Sequence, residues 1–376
     1  MTHCIIAPGC KTRDNAKVGA LVEVQKNAHV KKFSLYNESE MKRWDEFVKS
    51  HPKGTPFHLS CWMHTIYESY SFKPLFYVLK NDNNNLSGVF PCFLVKGLFN
   101  GARIVSLPFS DYCGPLFTDL YQEKKLLMKI IKENIDRVKY LEIRSPLLSD
   151  SDFICHNYYK RHVLDLNEDP NKVRKNFNKK TIKYSIRKAK MAGVVIREEN
   201  SHLGIEEFYR LHMLTRKKHG IPSPPIKFFK KMFDNIIARG HGLILLATSD
   251  SKTIAAGVFF KFKEKIYYKY NASDPQYLSL KTPNHLLTWH AIEKACLKGY
   301  RFFDFGRTSP DNKGLMRYKE MWGAKRLDLP YYYYPKTSAL TLMEDCSLYD
   351  MFTRIWRLLP NVFVEKIGTK IYKHFG

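Results

Sequence analysis

Residues 268–326 read YKYNASDPQYLSLKTPNHLLTWHAIEKACLKGYRFFDFGRTSPDNKGLMRYKEMWGAKR. The opening YKYNAS closes a strand-like run that starts at Lys265, and SDPQYLSLKTP is a polar connector with two prolines. NHLLTWHAIEKACLKG then reads as a helix, with Trp289, Ile292 and Cys296 on one face and Gly299 as its stop. YRFFDFG is an aromatic strand, and a turn-rich loop follows, leading to Arg317, Tyr318, Lys319 and Glu320. Strand, helix and strand in this order are the grammar of an α/β protein. Asp-Phe-Gly also invites a kinase reading, with Asp304 holding magnesium. That chemistry needs a Gly-rich phosphate loop, a strand lysine and an H-R-D loop upstream, and the chain has none of them.

Outward from this stretch the pattern repeats. GLILLATSD, KTIAAGVFFKF and KIYYKYNAS form a three-strand meander, preceded by helices that stop at Gly220 and Gly240. Nearer the N-terminus, ESEMKRWDEFVKSHPKG and LSCWMHTIYESY read as helices and FKPLFYVLKND, VFPCFLVKG and RIVSLPF as strands. YQEKKLLMKIIKENIDRVKYLEIRS is a helix running into a strand. The expected division is a lead-in over 1–30, one α/β unit over 31–165, a second over 166–335 and a basic tail over 336–376. The two units match in element order, not in sequence.

The formal charge of +26 on 376 residues far exceeds what solubility asks and favours an anionic partner: nucleic acid, anionic lipid or a phosphate-bearing ligand. Eight scattered cysteines with no C-x-x-C pair fit a reducing compartment. Neither a signal peptide nor a membrane span is expected, so the reading is a soluble or peripheral protein. The P-loop, the dinucleotide fingerprint, H-E-x-x-H and G-x-S-x-G are absent, and no metal site is expected.

Residues 171–190, NKVRKNFNKKTIKYSIRKAK, hold nine Lys or Arg and no acid. Read as one helical stretch, they repel each other unless a polyanion neutralises them. Lys179, Lys180, Lys183, Arg187 and Lys188 are the polyanion-binding candidates. Phe177 and Tyr184 suit either stacking on a base or packing on the body. In the tail, Leu348, Met351, Phe352, Ile355 and Leu359 share a helical face, and Phe363, Ile367 and Ile371 continue the stripe beside Lys366, Lys370 and Lys373. Two readings stay open: a helix docked on the body, or a basic amphipathic helix lying on an anionic membrane.

Four stretches carry a family resemblance: LPFSDYCGPL (107–116), the basic segment through IRKAKMAGV (186–194), residues 268–314, and LMRYKEMWGAKR (315–326). Through them the chain resembles the FemAB-like group, Fem-type peptidyltransferases and related acyltransferases with a duplicated GNAT fold. The resemblance covers roughly 35–335. It implies an α/β (α+β) protein of two tandem GNAT-like domains, with mixed sheets flanked by helices. It implies an enzyme that moves an acyl or aminoacyl group from aminoacyl-tRNA or an acyl thioester to an amine of a cell-envelope precursor. The donor would be a co-substrate, with no permanently bound cofactor, and the acceptor an anionic, lipid-linked molecule. The setting would be cytoplasmic, at the inner membrane face. The rival readings are a non-catalytic RNA-binding protein and a membrane-surface protein.

Acyl transfer builds negative charge on a tetrahedral oxygen, and a cation aimed at it is the largest help a protein gives. Lys319 falls where the family's Y/F-K motif lies and is the expected charge stabiliser, with Arg317 beside it. Arg317 and Arg307 are candidates for holding phosphate or carboxylate. Asp304 is counted with the substrate-binding candidates, although its strand setting reads better as a buried acid pairing with Arg307 to fix the loop. Ser110, Asp111 and Tyr112 are expected to meet the acceptor, unless they only form a turn. Tyr318 and Asn271 complete the substrate-binding candidates, and Arg144 is a lesser one. One departure stands out: residues 273–289, which replace the Gly-rich loop of acetyl-CoA enzymes, contain no glycine. This disfavours acetyl-CoA as donor.

Overall fold

The computed structural model describes residues 29–33, 35, 37–97, 101–118, 120–145, 153–335, 347–359, 367–368 and 371–375. The expected lead-in over 1–30 lies almost wholly outside them.

In the first half, α1 (Glu38–Ser50) starts at Asn37, whose side chain caps the Glu40 amide at 3.2 Å. It buries Trp44 and Val48, and α2 (Ser60–Tyr70) packs beside it. β1 (His29–Phe33) pairs with β2 (Lys73–Lys80), which leads an antiparallel meander with β3 (Leu86–Gly97) and β4 (Gly101–Val105). The short β5 (Leu116–Phe117) adds to β3. Helix α3 (Leu120–Asn134) then crosses over to β6 (Tyr140–Ile143), which lies parallel to β4. A parallel neighbour requires such a crossover. RIVSLPF is strand only to Val105, because Leu107 and Phe109 take φ of 54° and 63° and turn the chain out of the sheet.

The second half opens with β7 (Ile154–Asp165), α4 (Pro170–Lys175), α5 (Tyr184–Met191), β8 (Val195–Glu198), α6 (His202–His219) and α7 (Ile226–Met232). The meander of β9 (Gly242–Ser249), β10 (Lys252–Phe262) and β11 (Lys265–Ser273) follows, then α8 (Leu278–Lys281) and α9 (Pro283–Leu297). β12 (Phe302–Thr308) runs parallel to β11, repeating the meander–helix–parallel-strand unit of the first half. Helix α10 (Lys313–Glu320), β13 (Lys325–Tyr334) and α11 (Ser347–Leu358) complete the chain. No helix among the described residues is long and apolar enough to cross a membrane.

The strands form one sheet in the order β1-β2-β3-β4-β6-β13-β7-β12-β11-β10-β9-β8. β13, late in sequence, sits between β6 and β7 and pairs with both, sewing the halves together. One face carries a core shared by both halves, with Trp44, Phe57 and Trp62 from the first against Phe208, Phe228 and Phe260 from the second. On the opposite face, α3 covers the first half and α5, α9 and α10 cover the second.

The basic stretch is not one helix. α4 ends at Lys175, and a wide turn over Lys179–Lys183 leads into α5. Asn178 restarts the helix by capping the Thr181 amide at 2.9 Å. Phe177 swings into the core, edge-on to Trp289 and Trp322, so it packs on the body, whereas Tyr184 is exposed.

Candidate functional site

The site grows from the end of β12. That strand pairs with β7 from Phe302 to Thr308 but with β11 only over Phe302–Asp304, so beyond Asp304 the two parallel strands part and leave a gap. Asp304 opposes Val163 and Arg307 opposes Arg161, so three steps on β12 match two on β7: a bulge. Gly306 at the bulge has φ 70°, and a Cβ there would come 3.0 Å from Asp111 Oδ2. Glycine meets both demands.

Asp304 is fully buried and fixes this bulge: Oδ1 accepts the Gly306 amide at 2.8 Å and Oδ2 accepts the Tyr112 hydroxyl at 2.9 Å. The expected partner, Arg307, is not the one it takes; the nearest guanidinium is that of Arg161 at 3.8 Å. The bulge points Arg307 elsewhere, over the Tyr159 ring at 4.2 Å, with Nη1 donating to the Tyr331 hydroxyl at 3.1 Å. Asp304 is thus a loop anchor, as its burial requires, through a different set of contacts.

Lys319 comes from α10, which starts at Asn312 capping the Leu315 amide. Its side chain is 5 % exposed and donates to Thr308 Oγ1 at 2.7 Å, Gly306 O at 3.0 Å and Arg307 O at 3.3 Å. Burial pushes its pKa down to about 8, against the pull of Asp111 and Asp304 and with a further push from Arg307. Among the described residues neither Lys319 nor Arg307 has a carboxylate within ion-pair distance. Arg317 points to solvent, and Tyr318 packs against His285 and Trp322. One turn of α10 therefore separates three neighbours into three environments.

From the first half, the loop after β4 delivers the triplet. Ser110 is buried, its hydroxyl accepting from Trp62 Nε1 at 2.8 Å and its carbonyl from Arg144 at 3.1 Å. Asp111 accepts from Lys269 at 3.2 Å, and its carbonyl accepts the Tyr331 hydroxyl at 2.6 Å. Tyr112 reaches Asp304 across the junction. The triplet, Asp304, Arg307 and Lys319 are therefore gathered where the halves meet. Asn271 is not joined to them by any hydrogen bond; it contacts Tyr268 at 2.6 Å and Asn284 at 3.3 Å, near the start of α9.

Sequence reasoning missed Lys269, Arg161, Tyr159 and Tyr331. Lys269 is a buried ammonium against Phe57 and Tyr270, also donating to Phe109 O at 2.9 Å. Burial lowers its pKa, opposed by Asp111. The signal was a lysine between tyrosines in a central strand, where an unpaired charge is costly. The cations Arg144, Arg161, Lys269, Arg307 and Lys319 converge here on the carboxylates Asp111, Glu142 and Asp304.

On the basic segment, Lys179, Lys180 and Arg187 are exposed, while Lys183 donates to Lys175 O and Lys188 to Ser279 O. Among the described residues none of the nine cations forms an ion pair, so this face is uncompensated.

A family model for the acetyltransferase (GNAT) domain matches residues 176–320. The UDP-N-acetylmuramoylpentapeptide-lysine N(6)-alanyltransferase of Weissella viridescens is 30% identical over 115 residues, 30% of this chain. That match spans about a third of the relative's length, 33%. The solved structure of FemX superposes with a TM-score of 0.62 at 14% identity, over 81% of this chain and 96% of that one. The C-terminal domain of a putative lysylphosphatidylglycerol synthetase from Agrobacterium fabrum gives 0.54 at 11%, over 78% and 91%. A tandem GNAT protein of the clavulanic acid pathway gives 0.52 at 11%, over 82% and 98%. These likenesses fit the duplicated meander–helix–strand unit seen in the sheet. Residues 176–320 match the acetyltransferase (GNAT) domain, and the fold of the chain is that of FemX and of the tandem GNAT protein.

Proposed function

We propose that this chain transfers an acyl or aminoacyl group to an amine of an anionic, lipid-linked cell-envelope precursor, at the inner membrane face. The observation that carries the reading is the pair of cations without carboxylate partners, Arg307 and Lys319, beside the gap between β11 and β12. The amine attacks the donor carbonyl carbon, a C–N bond forms, and negative charge grows on the carbonyl oxygen. The positive charge of Arg307 and Lys319 stabilises that oxygen; in a site drier than water each such interaction is worth far more than at the surface. As the tetrahedral intermediate collapses, the C–O or C–S bond to the carrier breaks. We assign the proton shed by the amine to Asp111, the carboxylate of the group that is part-exposed, for return to the leaving oxygen or sulfur. Arg317, outside this buried group, would meet donor phosphate at the rim.

The donor we favour is aminoacyl-tRNA. The connector before α9 has no glycine to wrap a pyrophosphate closely, and Lys179, Lys180 and Arg187 offer an unpaired cationic face to a nucleic acid. The test is donor consumption by the purified protein, with charged tRNA and with acyl-CoAs in parallel. Acceptor-dependent deacylation of charged tRNA supports the reading. Tight tRNA binding with no transfer from either donor supports the RNA-binding alternative instead.

A further inference from the structure

Over its described side chains, Thr353 to Leu358, helix α11 is held on the body by one face and exposed on the other. Trp356 is 2 % exposed and Thr353 is buried, both turned toward α6. A Cβ at Gly220, the αL residue ending α6, would come 2.4 Å from Thr353 O, so the contact is close enough to need glycine. Gly368 backs onto the same Trp356, where a Cβ would meet Cζ2 at 3.3 Å. On the outer side, Ile355 is 52 % and Leu358 85 % exposed. Over the described side chains of α11 the inward residues are Thr353 and Trp356, while Ile355 and Leu358 face out. The described part of the tail packs on the body through Thr353 and Trp356, and among its described residues Ile355 and Leu358 stay exposed. Side chains at Leu348, Met351 and Phe352, and residues 360–366 and 369–370, lie outside the described set.

The surroundings of that face are cationic. Arg354 and Arg357 are exposed on α11, and Lys218 is exposed in the last turn of α6. Among the described residues none of the three forms an ion pair. Burial lowers the pKa of His219, with further pushes from Arg216, Lys218 and, last, Arg357. The same tail then reaches the candidate site: Tyr372 stacks on Phe109 at 5.1 Å, in the loop that carries Asp111 and Tyr112, and Arg216 lies over its ring.

The geometry points to the outer face of α11, with exposed Ile355 and Leu358 interleaved with exposed Arg354 and Arg357 on the same helix, as a docking surface for an anionic lipid bilayer. Aliphatic side chains enter the acyl boundary and the arginines meet headgroup phosphates, as in interfacial helices. A rigid mounting matters, because the same segment touches the loop of the candidate site. Under the transfer reading proposed above, a lipid-linked acceptor would then be met on the side where Tyr372 and Phe109 lie.

The test is sedimentation with vesicles of phosphatidylglycerol mixed into phosphatidylcholine, against phosphatidylcholine alone, with no donor or acceptor present. It therefore stands or falls apart from the transfer reading. Wild-type protein is expected to bind the anionic vesicles at least about tenfold more tightly. Ile355→Asp with Leu358→Asp should weaken that binding at least about tenfold with unchanged thermal melting; Ile355→Ser with Leu358→Ser serves if the aspartates disturb folding. Arg354→Glu with Arg357→Glu should also weaken it, whereas Lys179→Glu with Lys180→Glu should cost much less. Wild-type protein that ignores anionic vesicles, apolar-face variants that bind like wild type, or a dimer that dissociates when Ile355 and Leu358 are replaced would each overturn the proposal.

Discussion

At the scale of the residue, the account turns on what burial does to Lys319. Its ammonium sits among three protein oxygens, and its pKa of about 8 lies below the ordinary lysine value of 10.5. The folded chain therefore holds fewer protons at this site than the unfolded chain between those two values. Stability from this group rises with pH across that window. Activity runs the other way, because the charged form is the one that stabilises an oxyanion. A profile of kcat/KM against pH should fall above about 8, and Lys319→Arg should move that limb upward by keeping the charge. Tyr112→Phe tests the neighbouring contact: removing the hydroxyl that Asp304 accepts should lower stability by about 1–3 kcal/mol in urea melts. The motif made Lys319 legible as a candidate, but its partners were not, because two are backbone carbonyls at the bulge, Gly306 O and Arg307 O, and the third is the Thr308 hydroxyl that the same turn presents. Arg307 was legible as a cation and misread as the partner of Asp304, since the register of β7 against β12 decides that pairing.

Among the elements, the broken basic segment shows where reasoning from composition runs out. Nine cations suggested one helical stretch facing a polyanion, but Phe177 is the residue that organises the stretch, by turning into Trp289 and Trp322. Phe177→Ala should cost about 3–5 kcal/mol of stability and weaken tRNA binding although no charge is removed. Isothermal melts and filter binding on one preparation would check both. Lys269 was missed for the opposite reason. A strand pattern gives its position, while the aspartate that receives its charge comes from a loop some 160 residues earlier, placed there by positive φ at Leu107 and Phe109.

Across the whole molecule, the duplicated order was visible in the sequence, because helix and strand periods differ and both units use them in the same succession. The single sheet was not visible. It depends on β13 inserting between β6 and β7, and no local pattern names a distant neighbour. A chain of charge +26 with an unpaired basic face should bind tRNA with strong salt dependence. Neutralising Lys179, Lys180 and Arg187 should reduce the slope of log K against log salt by about 2–3. An unchanged slope would move the nucleic-acid contact elsewhere. The central claim, that the junction transfers an acyl group under the charge of Lys319, is tested most directly by single-turnover consumption of aminoacyl-tRNA in the presence of an amine acceptor. The account predicts acceptor-dependent loss of the aminoacyl ester by the wild-type chain, slowed roughly 100-fold or more by Lys319→Met. Equal rates for the two proteins, or no consumption of charged tRNA or acyl thioester by either, would contradict it.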